Sequence, residues 1–186
     1  MSKFDEEFNF NLIKKYEVSE ILNILESFND EWLINTHRQN QLDKTHQYTQ
    51  SFFVKITVGN WQIGKKLATV NVCKNKKLLE LTLPIIKDLE EYHNGKAATV
   101  MYVKLLPEKN ISSHKDSGDY LENVRRHHIP IKTNNLVSFN VGDESINMTA
   151  GECWEINNIK THFVVNDGNE ERIHLIVDIL PNTSIV

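Results

Sequence analysis

The feature that most constrains this chain is a series of short apolar and β-branched runs after Gly95: Ala98 to Leu106, His128 to Thr133, Leu136 to Val141, Asn147 to Ile156, Thr161 to Val165 and Arg172 to Leu180. Turn-forming residues separate them, and strands this short, so closely spaced, bury their apolar faces only by closing into an antiparallel sandwich or barrel. Upstream the pattern is helical. Val18, Ile21, Leu22, Leu25 and Phe28 recur at three- and four-residue steps, with Ser19 as an N-cap. A second helix is expected from Pro84, burying Ile85, Ile86 and Leu89 and stopping at Gly95. Ser51 to Val58 reads as strand, and Asn60 to Lys76 has no decided character. The expected class is α+β, one domain over residues 1–186, with helical support and first strands in 1–96 and a β half in 97–186.

Composition narrows the classes of function. At 186 residues, 40% hydrophobic and 25% charged, the chain can bury a core without staples. Cys73 and Cys153 form neither a disulfide framework nor a zinc-type pair, which points to a reducing compartment. Met1 to Phe10 is acidic, without an apolar run of signal-peptide length, and no stretch of eighteen apolar residues occurs, so a cytoplasmic protein with no membrane partner is expected. A net charge of -4 argues against general affinity for nucleic acid, although Arg125, Arg126, His127 and His128 form a local basic cluster.

His114 and Asp116 lie two residues apart, and in extended backbone such positions project to one face. His162 follows forty-eight residues later, at the start of another strand-like run. Two imidazoles and a carboxylate on one side of an ion leave its other side open, the arrangement of non-haem iron(II) oxygenases. Against this stands the frequency with which a His-x-Asp pair occurs by chance. Only 4 of the 21 basic residues are arginine, yet Arg125, Arg126 and Arg172 fall in the β half. Arginine grips a carboxylate through two parallel hydrogen bonds as lysine cannot, so a carboxylate ligand is a reasonable inference. The alternative is a solvated pair of Arg172 with Glu170 or Glu171. Asn166-Asp167-Gly168 reads as a hairpin turn with Gly168 left-handed. A three-residue loop would put Arg172 and His162 on one face, and a two-residue loop would put them on opposite faces.

Taken together, His114-x-Asp116, Arg126-His127-His128-Ile129-Pro130-Ile131-x-Thr133-Asn134, Met148-x-x-Gly151-Glu152-x-Trp154, His162-x-Val164-x-Asn166 and Arg172-Ile173-His174-Leu175-Ile176-x-Asp178 resemble the aspartyl/asparaginyl β-hydroxylase family, including its bacterial free-amino-acid hydroxylases. The resemblance spans about Tyr102 to Leu180. It implies a double-stranded β-helix (jelly-roll, cupin-like) core and a dioxygenase using Fe(II), 2-oxoglutarate and dioxygen. It implies His114, Asp116 and His162 as metal ligands and Arg172 as the clamp for the distal carboxylate of 2-oxoglutarate. Arg126 and His128 match a pocket motif that holds carboxylates of substrate or co-substrate. The animal protein-hydroxylating members have glycine at the position of Asp116, so this chain is more similar to the small-molecule members. A free amino acid or small carboxylate is then slightly favoured over a peptidyl Asp or Asn, and a non-catalytic carboxylate-binding module is the alternative from another class. Trp154 is expected in the core, Asn157-Asn158 in a turn, His127 facing away from the pocket, and His174 as support for the site.

Overall fold

The computed structural model describes residues 8–33, 39–40 and 44–184. Eleven strands and three α-helices occur among them: β1 (Phe10–Lys15), α1 (Ser19–Glu26), β2 (Thr49–Thr57), β3 (Thr69–Asn71), α2 (Lys76–Tyr92), β4 (Gly95–Leu105), β5 (Lys109–His114), α3 (Asp119–Asn123), β6 (Arg125–Lys132), β7 (Val137–Val141), β8 (Glu144–Ile146), β9 (Glu152–Ile156), β10 (His162–Asn166) and β11 (Arg172–Pro181). They form two antiparallel sheets, β1-β9-β6-β11-β4-β2-β3 and β5-β10-β7-β8. Leu105, Ile156 and Phe10 from the large sheet pack against Ile111, Val137, Phe139, Val141 and Val164 from the small one, so the sheets face each other across a shared core. α1 and α2 cover the opposite face of the large sheet, where Ile21, Leu25, Leu78, Ile85 and Leu89 meet Val100, Ile129, Leu175 and Val177. Each such side chain contributes about 1.5–3 kcal/mol by leaving water.

Several boundaries differ from expectation. Ser19 is the first helical residue of α1 rather than its cap, and its N–H is satisfied by Glu17 Oε1 at 2.9 Å. α2 begins well before Pro84, at Lys76, capped by Asn75, whose side chain accepts the Leu78 N–H at 2.9 Å. Pro84 is tolerated inside the helix because it and Glu80, the residue whose carbonyl loses a partner, lie on the exposed side, where water substitutes. The helix ends at Tyr92, and the left-handed residue is Asn94 (φ 44); Gly95 already belongs to β4. Of the run from Asn147 to Ile156 only Glu152–Ile156 is strand, preceded by a turn at Gly151. β1, β5 and α3 had no sequence signal.

The hairpin expected at 166–168 does not form. β10 belongs to the small sheet and β11 to the large one, so residues 167–171 cross between sheets, and Gly168 is not left-handed. Asn166 organises this crossover, its amide donating to Leu106 O (3.2 Å) and Glu170 O (2.8 Å) while its carbonyl accepts from Asn134 and the Gly168 N–H.

Gly151 is left-handed (φ 83), and an added Cβ would run into the Tyr16 carbonyl, whose own N–H donates to Gly151 O at 2.8 Å. Gly151→Ala is expected to destabilise the fold by about 2–4 kcal/mol, from left-handed strain plus overpacking. Urea unfolding would check this, and an unchanged midpoint would show that the turn relaxes freely.

Candidate active site

His162 and His114 are cross-strand partners at one end of the small sheet, their rings 4.2 Å apart. The Nδ1 atoms lie 2.7 Å from Ser112 O (His114) and 2.9 Å from Lys160 O (His162). Carbonyl oxygens only accept, so both Nδ1 atoms carry the proton and both Nε2 atoms keep a lone pair. Asp116 lies past the end of β5 rather than on it, so strand alternation does not place it. Its N–H donates to Asn158 O at 3.1 Å, and its Oδ2 accepts from the Asn158 amide at 2.9 Å and from Arg126 Nη1 at 2.5 Å. One ligand atom from each of His114, Asp116 and His162 falls within 4.8 Å of the others.

The charges behind Asp116 form a chain. Arg126 Nε and Nη2 grip both oxygens of the fully buried Asp178 at 2.8 Å each, and Tyr120 Oη donates to Asp178 Oδ2 at 3.1 Å. Burial, then Asp178, pushes the Tyr120 hydroxyl well above its usual pKa, so it remains a donor. Burial alone would lower the Arg126 pKa, but Asp116 and Asp178 outweigh it and hold it above the ordinary arginine value. Burial would likewise raise Asp116, yet Arg126 above all, with the Asn158 amide, holds its carboxyl below the usual range. Asp116 therefore stays ionised. Burial, then His114, brings His162 down to about 4, leaving its imidazole neutral and able to ligate.

Arg172 lies on the inner face of β11 and is 1% exposed. Its Nη2 donates to His174 Nδ1 at 2.6 Å and its guanidinium sits over the Phe139 ring, but Nε has no partner and, among the described residues, no carboxylate pairs with it. Burial pushes this guanidinium down to about 9. His128 Nδ1 and His174 Nε2 are also buried without partners, and burial, then Arg172, keeps both rings neutral. A narrow cavity joins Arg172 and His128 to His114 and His162. An open cleft of about 660 Å³ lies on the Asp116 side, lined by Phe53, Thr57, Trp61, Thr99, Ser117 and Tyr120 among others.

His114, Asp116 and His162 thus converge, with Arg172 and His128 beside them. Arg126 borders the same cavity, but its three nitrogens are engaged by Asp116 and Asp178. His127 faces the other side of the sheet, its Nδ1 3.1 Å from Val177 O. Sequence reasoning gave Asn158 and Asp178 no role at the site. A lone carboxylate within the apolar run Ile176 to Leu180 was the available signal for Asp178, because a buried carboxylate demands a cation.

A sequence profile described as aspartyl/asparaginyl beta-hydroxylase matches residues 15–181. No curated protein matches the sequence. The structure is similar to an oxidoreductase of the 2OG-Fe(II) oxygenase family from Burkholderia pseudomallei (11% identity, 93% of this chain and 96% of that one, TM-score 0.54). It is also similar to the viral collagen prolyl hydroxylase of Paramecium Bursaria Chlorella virus-1 in its 2OG complex (8% identity, 94% of this chain and 97% of that one, TM-score 0.59). At these identities the likeness concerns the fold, a double-stranded β-helix core, as expected. Among the described residues no helix is long and apolar enough to cross a membrane.

Proposed function

Because the chain belongs to the aspartyl/asparaginyl β-hydroxylase family, we propose that it hydroxylates an amino-acid substrate with iron(II) held by His114, Asp116 and His162 and 2-oxoglutarate anchored at Arg172. Family membership makes it an enzyme, so the reading as a non-catalytic carboxylate-binding module falls away. The observation that carries the proposal is the Arg172 guanidinium, buried without a carboxylate partner among the described residues, beside three converging ligand-type side chains. A buried, unpaired cation is costly, and its retention makes sense where a ligand supplies the anion.

The residues present fit both groups. Two imidazoles and an ionised carboxylate suit ferrous iron, and Arg172 Nε together with the unpaired nitrogens of His128 and His174 offers a polar lining for a carboxylate. When bound, iron and 2-oxoglutarate supply the oxidising chemistry that couples decarboxylation to succinate with hydroxylation of a C–H bond. The chain's own work is positional. The Ser112 and Lys160 carbonyls fix the imidazole tautomers, Asn158 and Arg126 hold Asp116, and Asp178 with Tyr120 fixes Arg126. Substrate would enter by the cleft beside Asp116, whose wall includes Tyr120.

The retained Asp116 favours a free amino acid or small carboxylate. The cleft favours a second reading, an Asp or Asn residue within a peptide, because it is open and its described lining contains no lysine or arginine to meet a free α-carboxylate. Succinate release from 2-oxoglutarate with iron(II) and ascorbate, followed by a mass-spectrometric screen for one added oxygen across the twenty amino acids and short Asp/Asn peptides, tests both. No succinate release and no hydroxylated product with any of them would reject the proposal.

Asp178→Asn is expected to weaken iron binding by about 10- to 100-fold, the range seen when a group behind a metal ligand is lost. Tyr120→Phe, which leaves the Arg126–Asp178 fork intact, is expected to cost less. Equal affinities for the wild type and Asp178→Asn in an anaerobic iron titration would remove Arg126 and Asp178 from the support of Asp116.

A further inference from the structure

A second set of ligand-type side chains meets on the other face of the large sheet. β6 and β9 are antiparallel neighbours with His127 opposite Glu155, so both project away from the cavity that Arg126 and His128 border. The end of α2 comes down on them. His93 is its C-terminal cap, and the left-handed Asn94 turns the chain into β4 immediately afterwards. His93 Nε2 lies 2.8 Å from His127 Nε2 and 3.9 Å from Glu155 Oε2, and one ligand atom from each residue falls within 4.8 Å of the other two. His127 and Glu155 are buried, while the His93 side chain is 11% exposed and leaves a way in from solvent.

Two of these groups are oriented from behind. His127 Nδ1 faces the Val177 carbonyl, which only accepts, so the His127 lone pair is on Nε2. Arg125 Nη1 takes Glu155 Oε1 at 3.2 Å, and Oε2 is the oxygen facing His93. Because His127 Nε2 is an acceptor, its contact with His93 puts a proton on His93 Nε2. A metal ion could take the place of that proton.

We propose that His93, His127 and Glu155 form a second cation site, separate from the iron triad, for a borderline divalent ion of the zinc class. Two imidazole nitrogens and a carboxylate oxygen are a donor set that zinc accepts, and three protein ligands leave a position for water. Zinc bonds of about 2.0–2.1 Å put tetrahedral donors roughly 3.3 Å apart, between the His93–His127 and His93–Glu155 spacings. The ion would join the end of α2 to β6 and β9. It would brace β6 one residue away from Arg126, which leaves the opposite face of that strand to hold Asp116.

The test is zinc content by mass spectrometry after equilibrium dialysis of the full chain. The wild type is expected to hold two zinc ions. The triad variant His114→Ala/His162→Ala and the variant His93→Gln are each expected to hold one, and their combination none. Cobalt(II) added to the triad variant, in which the second site is unaltered, should give visible bands from an imidazole and carboxylate environment. Zinc should also raise that variant's melting temperature by several degrees. A triad variant that binds neither zinc nor cobalt overturns the proposal and leaves the three residues as a proton-linked brace. A wild type whose zinc content His93→Gln leaves unchanged overturns it equally.

Discussion

Replacing Arg172 with methionine is expected to raise the 2-oxoglutarate concentration needed for half-maximal turnover by about 30-fold or more, corresponding to about 2 kcal/mol or more for a buried charge pair deprived of one member. The same change should leave the ligand-free protein as stable as the wild type or more so. Arg172 is 1% exposed, burial pulls its guanidinium down to about 9, and no carboxylate among the described residues offsets its charge. Methionine fills similar volume with no charge to desolvate, and replacing buried ionic groups by apolar ones of like size is often neutral or stabilising. The gain is partial, since His174 Nδ1 loses its donor. Thermal melts with and without 2-oxoglutarate separate the two effects: the ligand should stabilise the wild type and not the variant. A variant that melts far below the wild type, with an unchanged requirement for 2-oxoglutarate, would make Arg172 a structural residue.

Asp116→Ala should carry the other large effect, a loss of iron affinity of about 100-fold or more, at or beyond the upper end of what changes behind a metal ligand cost. Succinate release should fall with it. Asp116 is held ionised by Arg126 and by the Asn158 amide, and its removal leaves two imidazoles alone facing the ion. Asn158→Ala, which only loosens the carboxylate, should weaken iron binding by about 10-fold. Anaerobic iron titration of the three proteins gives the order. If Asp116→Ala bound iron as the wild type does, the ligand set would have to be redrawn with another oxygen donor.

The strands that could be read in advance are those whose chemistry is redundant. Leu136 to Val141 and Arg172 to Leu180 are rich in β-branched and apolar residues, and they became β7 and β11 at almost the expected bounds. β5, Lys109–His114, buries only Ile111 and lies at the edge of the small sheet, so its polar sequence carried almost no period. The start of α2 is not legible locally, because Pro84 signals a first turn that the helix in fact has well behind it. The buried Leu78 and the Asn75 cap, which need the rest of the protein to matter, decide the outcome.

The candidate site divides along the same line. The residue types and spacing of His114, Asp116, His162 and Arg172 were visible along the chain, and the family they indicate is confirmed by the profile over 15–181. How they come together was not visible. A hairpin was expected to join the strands of His162 and Arg172, with its loop length deciding whether they share a face, but the two occupy opposing sheets and face one cavity across the core.

Residue chemistry is a property of the chain itself, and it was enough to name the candidate donors, the guanidinium and the β-rich half that bears them. Which carboxylates neutralise Arg126, which carbonyls set the imidazole tautomers, and that Arg172 has no carboxylate partner among the described residues were decided only by packing. Those outcomes depend on distances between groups far apart in sequence, such as Asp116 and Asn158 or Arg126 and Asp178, and on the desolvation that makes each missing or completed ion pair energetically decisive.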